Sequence, residues 1–360
     1  MIIDRVGLTY GIPGPITFRK NMRLHSFLIV GSLVFCLGVG LSPALADDSA
    51  SNMYARAIEQ AKLATVGILP TLATNTEALD YRLSVKIRGS GIHVGDGVIV
   101  TARHAVERSE GGKRVVPEEI HVLTDDFREV PAIRRGANTY MDVAVYSLQG
   151  DEADWPLSHV QFSEAEVTYG DEVFTVGFPM GRGPALTFGR VGNPNTFLPT
   201  VQSRLVQVDL LACRGNSGGG LLNHEGQLVG LVHAIIQTET LKAERGCSRL
   251  GFALPGMLVK RVVDTVLNGK IPGFSVLGIH LETLKEGGRW KLGVAKATGP
   301  SRHAGFRKGD ILVAIDELKI TSSAQLKNYL IEHTQPGQTV VLRVQRGDIH
   351  RDISVKLGKS

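Results

Sequence analysis

Arg214-Gly215-Asn216-Ser217-Gly218-Gly219-Gly220 sets a single serine in a run of glycines. A serine hydroxyl is a poor nucleophile at neutral pH unless a neighbouring imidazole takes its proton. Two other segments supply the missing groups. In Ile99-Val100-Thr101-Ala102-Arg103-His104-Ala105-Val106 a β run ends in a histidine, and in Met141-Asp142-Val143-Ala144-Val145-Tyr146 an aspartate opens an apolar strand. His104 is the candidate base. Asp142 is the candidate carboxylate that fixes its tautomer and faces the imidazolium. A tetrahedral intermediate carries an oxyanion, which backbone N–H groups stabilise. The N–H groups of Gly215 and Ser217 are the candidate donors, and the glycines around them permit the turn and a close approach of substrate. Singly, each segment has a plain reading: a structural histidine, a strand-capping aspartate, a flexible turn. Together they point to nucleophilic catalysis.

The sequence around these segments is a series of short β runs between Gly, Pro and Asp turns, from Leu83 to about Phe252. Leu83, Val85 and Ile87 alternate with polar residues, and Val173-Phe174-Thr175-Val176, Leu205-Val206-Gln207-Val208 and Leu228-Val229-Gly230-Leu231-Val232 continue the pattern. Many short strands with regular turn signals predict a sandwich or barrel. A short helix is expected over 53–64. A second is expected over 256–267, where Leu258, Val259, Val262, Val263, Val266 and Leu267 form one stripe. Asn268-Gly269 ends it and Pro272 follows, which places a domain boundary at 268/269. The tail predicts strands near 277–281, 293–297, 311–315, 339–345 and 351–357, with a helix at 322–331.

The chain has 360 residues, 43% of them hydrophobic and 21% charged, with 42 glycines. That length suggests two or three domains, and that charge share excludes a disordered or fibrous chain. Residues 1–46 read as a secretory signal. Arg19, Lys20 and Arg23 lead an apolar run from Phe27 to Leu41, Pro43 breaks it, and Ala44-Leu45-Ala46 offers a cleavage site; Met22 is an alternative start. An uncleaved signal would instead tether the protein to a membrane, and a mature N-terminus near Asp47 would reject the tether. Four of the 40 basic residues and one of the 35 acidic residues lie in 1–46, so 36 stand against 34 afterwards. Such a balance gives no electrostatic case for nucleic acid or an anionic membrane surface. Cys36 falls in the apolar run, leaving Cys213 and Cys247 in a compartment that permits disulfides.

Chain order separates the families that use these three groups. Ser, acid, His is the order of α/β-hydrolases, and Asp, His, Ser that of subtilisins. His, Asp, Ser is the order of chymotrypsin-like double barrels. Here "TARHAV", "MDVAVYSL" and "RGNSGGGLLN", with "VGFPMGRGPALTFGRVG", "GQLVGLVHAII" and "GFALP", resemble the catalytic blocks of the HtrA (Deg) family of exported trypsin-like serine proteases. The resemblance covers about residues 83–358. It implies a mainly β fold, two six-stranded barrels followed by a small α+β PDZ domain, with the active site in the cleft between the barrels. It implies peptide-bond hydrolysis through an acyl-enzyme, no cofactor, and a homotrimer with Tyr54 as a possible contact. Domains are expected at 47–268 and 269–360.

The resemblance also implies finer roles. Leu211, six residues before Ser217, stands where trypsins place an aspartate. With Ile235 and Ile236 it would line an S1 pocket for small or medium aliphatic side chains, the alternative being that the three are barrel core. In secreted chymotrypsin-like enzymes a disulfide clips the loop before the nucleophile, and Cys213 and Cys247 could form it. Typical HtrA proteins lack that bridge, so two free thiols are the alternative. Residues 275–358 resemble a PDZ domain, with Leu277-Gly278-Ile279 as the carboxylate-binding loop and "GPSRHAGFRKGDILVAID" as its central segment. An extended peptide would add as a strand between residues 277–279 and the helix at 322–331. Expected partners are polypeptide substrates and C-terminal peptides. No HExxH or CxxC metal motif is present. His93, His121 and His233 are expected to be structural. Two other readings compete: an inactive protease-fold chaperone or binding protein, and a membrane-tethered regulatory protease.

Overall fold

The computed structural model describes residues 47–69, 87–198, 203–235, 246–270, 273–286 and 288–359. Helix α1 (Asp47–Ala64) starts six residues before the predicted 53 and runs straight into strand β1 (Thr65–Leu69). The Thr65 hydroxyl donates to the Ala61 carbonyl at 2.8 Å, which ties the junction without a turn residue. Strands β1, β2 (Gly89–His93), β3 (Val98–Ala102), β4 (Glu119–Leu123), β5 (Glu129–Asn138) and β6 (Val143–Leu148) close a barrel in the order β1-β2-β3-β6-β5-β4. A four-residue helix, α2 (Arg103–Val106), follows β3. Strands β7 (Glu172–Gly177), β8 (Ala185–Thr196), β9 (Leu205–Cys213), β10 (Gly220–Leu222), β11 (Leu228–Ile235) and β12 (Cys247–Pro255) close a second barrel in the order β8-β9-β12-β11-β10-β7. All pairings in both barrels are antiparallel. The expected alternation at Leu83 and Val85 lies outside the described residues.

One apolar cluster joins the barrels. Val98, Val100, Val143 and Val145 of the first pack with Phe174, Leu205, Leu228, Leu231 and Phe252 of the second. Helix α3 (Gly256–Leu267), at the predicted bounds, adds Leu258, Val259, Val262, Val263 and Val266 to the same cluster. Burial of such side chains contributes about 1.5–3 kcal/mol each, so the two barrels hold each other in register and the segments carried on each are fixed against the other. Tyr54 of α1 packs edge-on against Phe174, ring centroids 5.8 Å apart, so its ring is engaged within the chain.

The tail forms strands β13 (Ser275–Val276), β14 (Ile279–Glu286), β15 (Arg289–Ala297), helix α4 (Gly299–Ala304), β16 (Ile311–Ile315), β17 (Leu318–Lys319), helix α5 (Ser323–His333), β18 (Thr339–Arg346), β19 (Ile349–Lys356) and β20 (Gly358–Lys359). The main sheet runs β14-β15-β16-β18-β19, with β17 beside β16 and a separate β13–β20 pair. Ser322 caps α5, its side chain accepting from the Gln325 N–H. The end of α5 is held by the half of the chain that carries the two barrels. Arg261 of α3 donates to the carbonyls of Ile331, Glu332 and Thr334 at 2.5, 3.2 and 2.9 Å, satisfying the last-turn acceptors. Arg204 makes a two-pronged, largely buried pair with Glu332 at 2.9 and 3.1 Å.

Candidate active site

The three sequence segments arrive from different elements. His104 is the second residue of α2, which starts where β3 leaves the barrel. Asp142 sits in the turn between β5 and β6 in the left-handed region, φ 57°, a conformation that aspartate tolerates better than most residues. That turn is fixed by Asn138, whose side-chain oxygen accepts from the Met141 N–H at 2.9 Å. Asp142 is bonded to α2 three times. Its carbonyl accepts from the Arg103 N–H at 2.8 Å. Its Oδ1 accepts from the His104 N–H at 3.1 Å, and its Oδ2 lies 2.5 Å from His104 Nδ1. The two oxygens thus hold both the backbone and the ring of one histidine. Arg103 reaches the same carboxylate at 3.8 Å and forms an ion pair with buried Glu107.

The Ser217 loop is fixed from outside itself. Buried Ser90 of β2 is its anchor: the Ser90 N–H donates to the Ser217 carbonyl at 2.9 Å, and the Ser90 hydroxyl donates to the Gly215 carbonyl at 2.7 Å. Gly89, beside it, lies against both Ala105 and the Ser217 carbonyl, so the loop passes next to α2. Within the loop the N–H groups of Asn216, Gly218 and Gly219 bond to the carbonyls of Cys213, Val232 and Asn216. Arg214 gives its carbonyl to the Met180 N–H at 2.6 Å. A trans peptide points its C=O and N–H in opposite directions, so the Gly215 N–H is aimed away from Met180. Gly215 takes φ 99°, and a Cβ there would lie 2.2 Å from the Phe178 carbonyl oxygen.

Cys213 and Cys247 form a disulfide between facing residues of β9 and β12. It closes a loop of 34 residues of separation, a constraint that stabilises the fold by about 4 kcal/mol through the chain entropy of the unfolded state. The Arg214 N–H donates to the Gly246 carbonyl at 2.9 Å, continuing that clamp to the edge of the Ser217 loop.

The Ser217 hydroxyl donates to the His233 carbonyl at 3.2 Å. His233, for which the sequence predicts a structural place, is brought to the same site: its ring Nδ1 lies 3.2 Å from Asp142 Oδ2 and its ring stands edge-on to His104, centroids 5.5 Å apart. Burial, more than the neighbouring charges, pushes its pKa down to about 4. Its only sequence signal is a histidine in an otherwise apolar strand. His93 is structural: it is buried, Nδ1 bonds to the Ser158 carbonyl at 2.6 Å and Nε2 accepts from the Gly97 N–H at 3.1 Å. Burial lowers its pKa as well. Among the described residues, His104, Asp142 and His233 are also the one cluster of three metal-ligating types. Two ligands of one tetrahedral ion each stand about 2.0–2.2 Å from it and hence about 3.3–3.6 Å from each other. The 2.5 Å contact is therefore that of a hydrogen bond.

Leu211 is 49% exposed, on the face of β9 turned away from the barrel interior. Ile235 is the last residue of β11, and Ile236 lies outside the described residues.

Residues 89–231 match the trypsin-like peptidase domain, and residues 275–357 match the PDZ domain. The serine protease PepD of Mycobacterium tuberculosis is 30% identical over 329 residues, 86% of this chain and 68% of PepD. The chain belongs to the HtrA/DegP-like family of trypsin-like serine proteases with a C-terminal PDZ domain. A probable periplasmic serine endoprotease DegP-like of Halomonas elongata is 30% identical over 282 residues, 75% of this chain and 56% of that protein. This HtrA-family chain thus spans between about half and two thirds of the length of these curated relatives. The HtrA-type protease AlgW with decapeptide has the same fold, with a TM-score of 0.67 at 20% identity, covering 85% of this chain and 98% of AlgW. The serine endoprotease of Yersinia pestis aligns at a TM-score of 0.60 and 23% identity, over 85% and 98% of the two chains.

The PDZ domain has an open sheet edge among the described residues. Strand β14 is terminal in its sheet and pairs only with β15. Gly278, just before it, takes φ 78°, and a Cβ there would lie 2.2 Å from the Thr298 carbonyl oxygen. Its own carbonyl accepts from the Thr298 N–H and hydroxyl at 2.7 and 3.0 Å. Leu277 is buried in the domain core, and Ser301 bonds to its carbonyl. The expected strand at 277–281 therefore begins two residues later, because residues 277–278 are spent on a tied turn. Leu326 and Leu330 of α5 share the core with Ile279 and Leu281 of β14.

Proposed function

We propose that the protein is an exported serine endopeptidase that cuts unfolded or damaged polypeptides, with domains dividing at 268/269. The observation that carries this reading is the 2.5 Å contact of His104 Nδ1 with Asp142 Oδ2, beside a rigidly bonded Ser217 loop. The Ser217 hydroxyl turns from the His233 carbonyl to His104 Nε2. His104 takes its proton as Ser217 Oγ attacks the peptide carbonyl. Asp142 faces the imidazolium, and the N–H groups of Gly215 and Ser217 bind the oxyanion. His104 then returns the proton to the leaving amine, an acyl-enzyme forms, and water resolves it by the same steps. Export to the periplasm is supported by the basic lead and apolar run of residues 19–41; among the described residues no helix is long and apolar enough to cross a membrane.

Leu211, Ile235 and Ile236 would give an S1 pocket without a counter-charge. Incubating the mature protein with a denatured proteome and sequencing the new termini is expected to show cleavage after Val, Ala and Leu. Cleavage predominantly after Lys or Arg would reject the pocket, and no cleavage would reject the activity.

The AlgW structures were solved with a decapeptide and with a tripeptide, and the open edge of β14 supports peptide binding here by strand addition, the terminal carboxylate held at residues 277–279. A fluorescent peptide with a free apolar C-terminus is expected to bind in an anisotropy titration, and its C-terminal amide to bind at least tenfold more weakly. The Gly278→Ala protein, strained at the left-handed position and against Thr298, should lose that preference. Equal affinity for acid and amide would remove the carboxylate site.

A further inference from the structure

His233 meets the reacting groups on two sides. Its carbonyl holds the Ser217 hydroxyl, and its ring Nδ1 stands within hydrogen-bond reach of Asp142 Oδ2, the same oxygen that His104 Nδ1 approaches. The side chain is buried, at 7% exposure for the residue. The charged and titratable groups facing it are Asp142 from the β5–β6 turn and His104 from α2, with Arg103 on the far oxygen of Asp142. Two imidazoles therefore converge on one carboxylate. Only one can be the base, because a second cation at 5.5 Å would oppose the charge that His104 must acquire.

We propose that His233 is a positioning residue, a neutral imidazole whose Nδ1–H donates to Asp142 Oδ2 and holds the carboxylate in the orientation that aligns His104. The inference rests on the reading of His104, Asp142 and Ser217 as the catalytic groups. Its physics is specific. An N–H donor fixes the carboxylate's rotation, and it also withdraws negative charge from the oxygen that faces His104. Burial keeps the ring neutral, in line with its pKa of about 4. The sign follows: the folded protein disfavours protonation at His233, so this group contributes stability above the ordinary histidine value, and that contribution is lost as pH falls from about 6.5 towards about 4.

Three substitutions separate a donor from a space-filler. An asparagine amide can occupy the place of Nδ1, a glutamine amide the place of Nε2, and alanine neither. His233→Ala and His233→Gln are expected to lower kcat by roughly ten- to a hundred-fold, the loss of one hydrogen bond to a charged group, with KM little changed. The acid limb of kcat/KM should move to higher pH, because an undamped carboxylate favours the imidazolium more. His233→Asn should restore both kcat and the limb. Equal behaviour of the three variants would overturn the proposal. A second measurement does not depend on activity. In ¹⁵N-histidine-labelled protein carrying Ser217→Ala, His233 should be the Nδ1-protonated neutral tautomer at pH 7 and stay neutral to about pH 4. An Nε2-protonated ring would overturn the proposal even in an active protease, and a protein with the expected tautomer but no proteolysis would instead overturn the catalytic reading.

Discussion

Ser217→Ala is expected to lower casein degradation by about a million-fold, the loss seen when the nucleophile of such a unit is removed. That ratio corresponds to about 8 kcal/mol of transition-state stabilisation. The substitution removes one oxygen whose bond in the resting protein is a 3.2 Å contact with the His233 carbonyl. The loop itself is held by backbone bonds and by Ser90, which the change leaves in place. Thermal stability should therefore move by less than about 1 kcal/mol, and the variant should still bind unfolded protein. A fluorophosphonate probe, which reacts with an activated serine, should label the unaltered protein and not the variant. Equal casein degradation by both proteins would end the assignment. An unlabelled, inactive wild-type protein that binds unfolded chains would favour the chaperone reading over the peptidase.

Much of the fold is legible because apolar spacing is local. Helix α3 is readable to the residue, since its six-residue stripe and its Asn268-Gly269 end both lie within a few turns. Strand β1 is not readable. Thr65-Val66-Gly67-Ile68-Leu69 follows α1 with no Gly, Pro or Asn between them, so a helix signal runs into the first barrel strand without punctuation. Strand β5 carries Pro131 and Gly136, and β8 carries Gly189 and Pro194, residues that argue against a strand when read singly. Their pairing with long neighbours overrides local preference, and that information is tertiary. Helix α4 is missed for the opposite reason: at six residues it is too short to show a period.

The site divides along the same line. His104, Asp142 and Ser217 are visible because each stands in a segment with its own chemical signature. The anchoring bonds of Ser90 and the contact of His233 with Asp142 are invisible because they exist only once two barrels meet. Nothing local to the Gly89-Ser90-Gly91 stretch shows that Ser90 will anchor a loop 125 residues away. The disulfide is an intermediate case. Two cysteines in an export compartment suggest a bond, but only the register of β9 against β12 places Cys213 opposite Cys247.

Gly215→Ala is expected to lower kcat/KM by about a hundred- to a thousand-fold, the cost of losing one oxyanion donor, while leaving His104 and Asp142 in place. The argument is geometric. Residue 215 sits at φ 99°, where an L side chain is strained, and its Cβ would fall 2.2 Å from the Phe178 carbonyl oxygen, a backbone atom that cannot step aside. The chain is relieved by rotating the 214–215 peptide. That rotation breaks the 2.6 Å bond from the Met180 N–H to the Arg214 carbonyl. If the Gly215 N–H is an oxyanion donor as proposed, the rotation also turns it away from the oxyanion and brings the carbonyl towards it, replacing attraction by repulsion. The loss should fall on kcat, since the oxyanion develops only after substrate has bound, in the transition state and the tetrahedral intermediate. Fluorophosphonate labelling should slow in parallel, because the phosphonyl oxygen uses the same donors. Gly269→Ala is the control: it carries the same left-handed strain, φ 68°, with no atom near its Cβ and no part in the site. If Gly215→Ala slowed turnover no more than Gly269→Ala, the 214–215 peptide would have no role in binding the oxyanion.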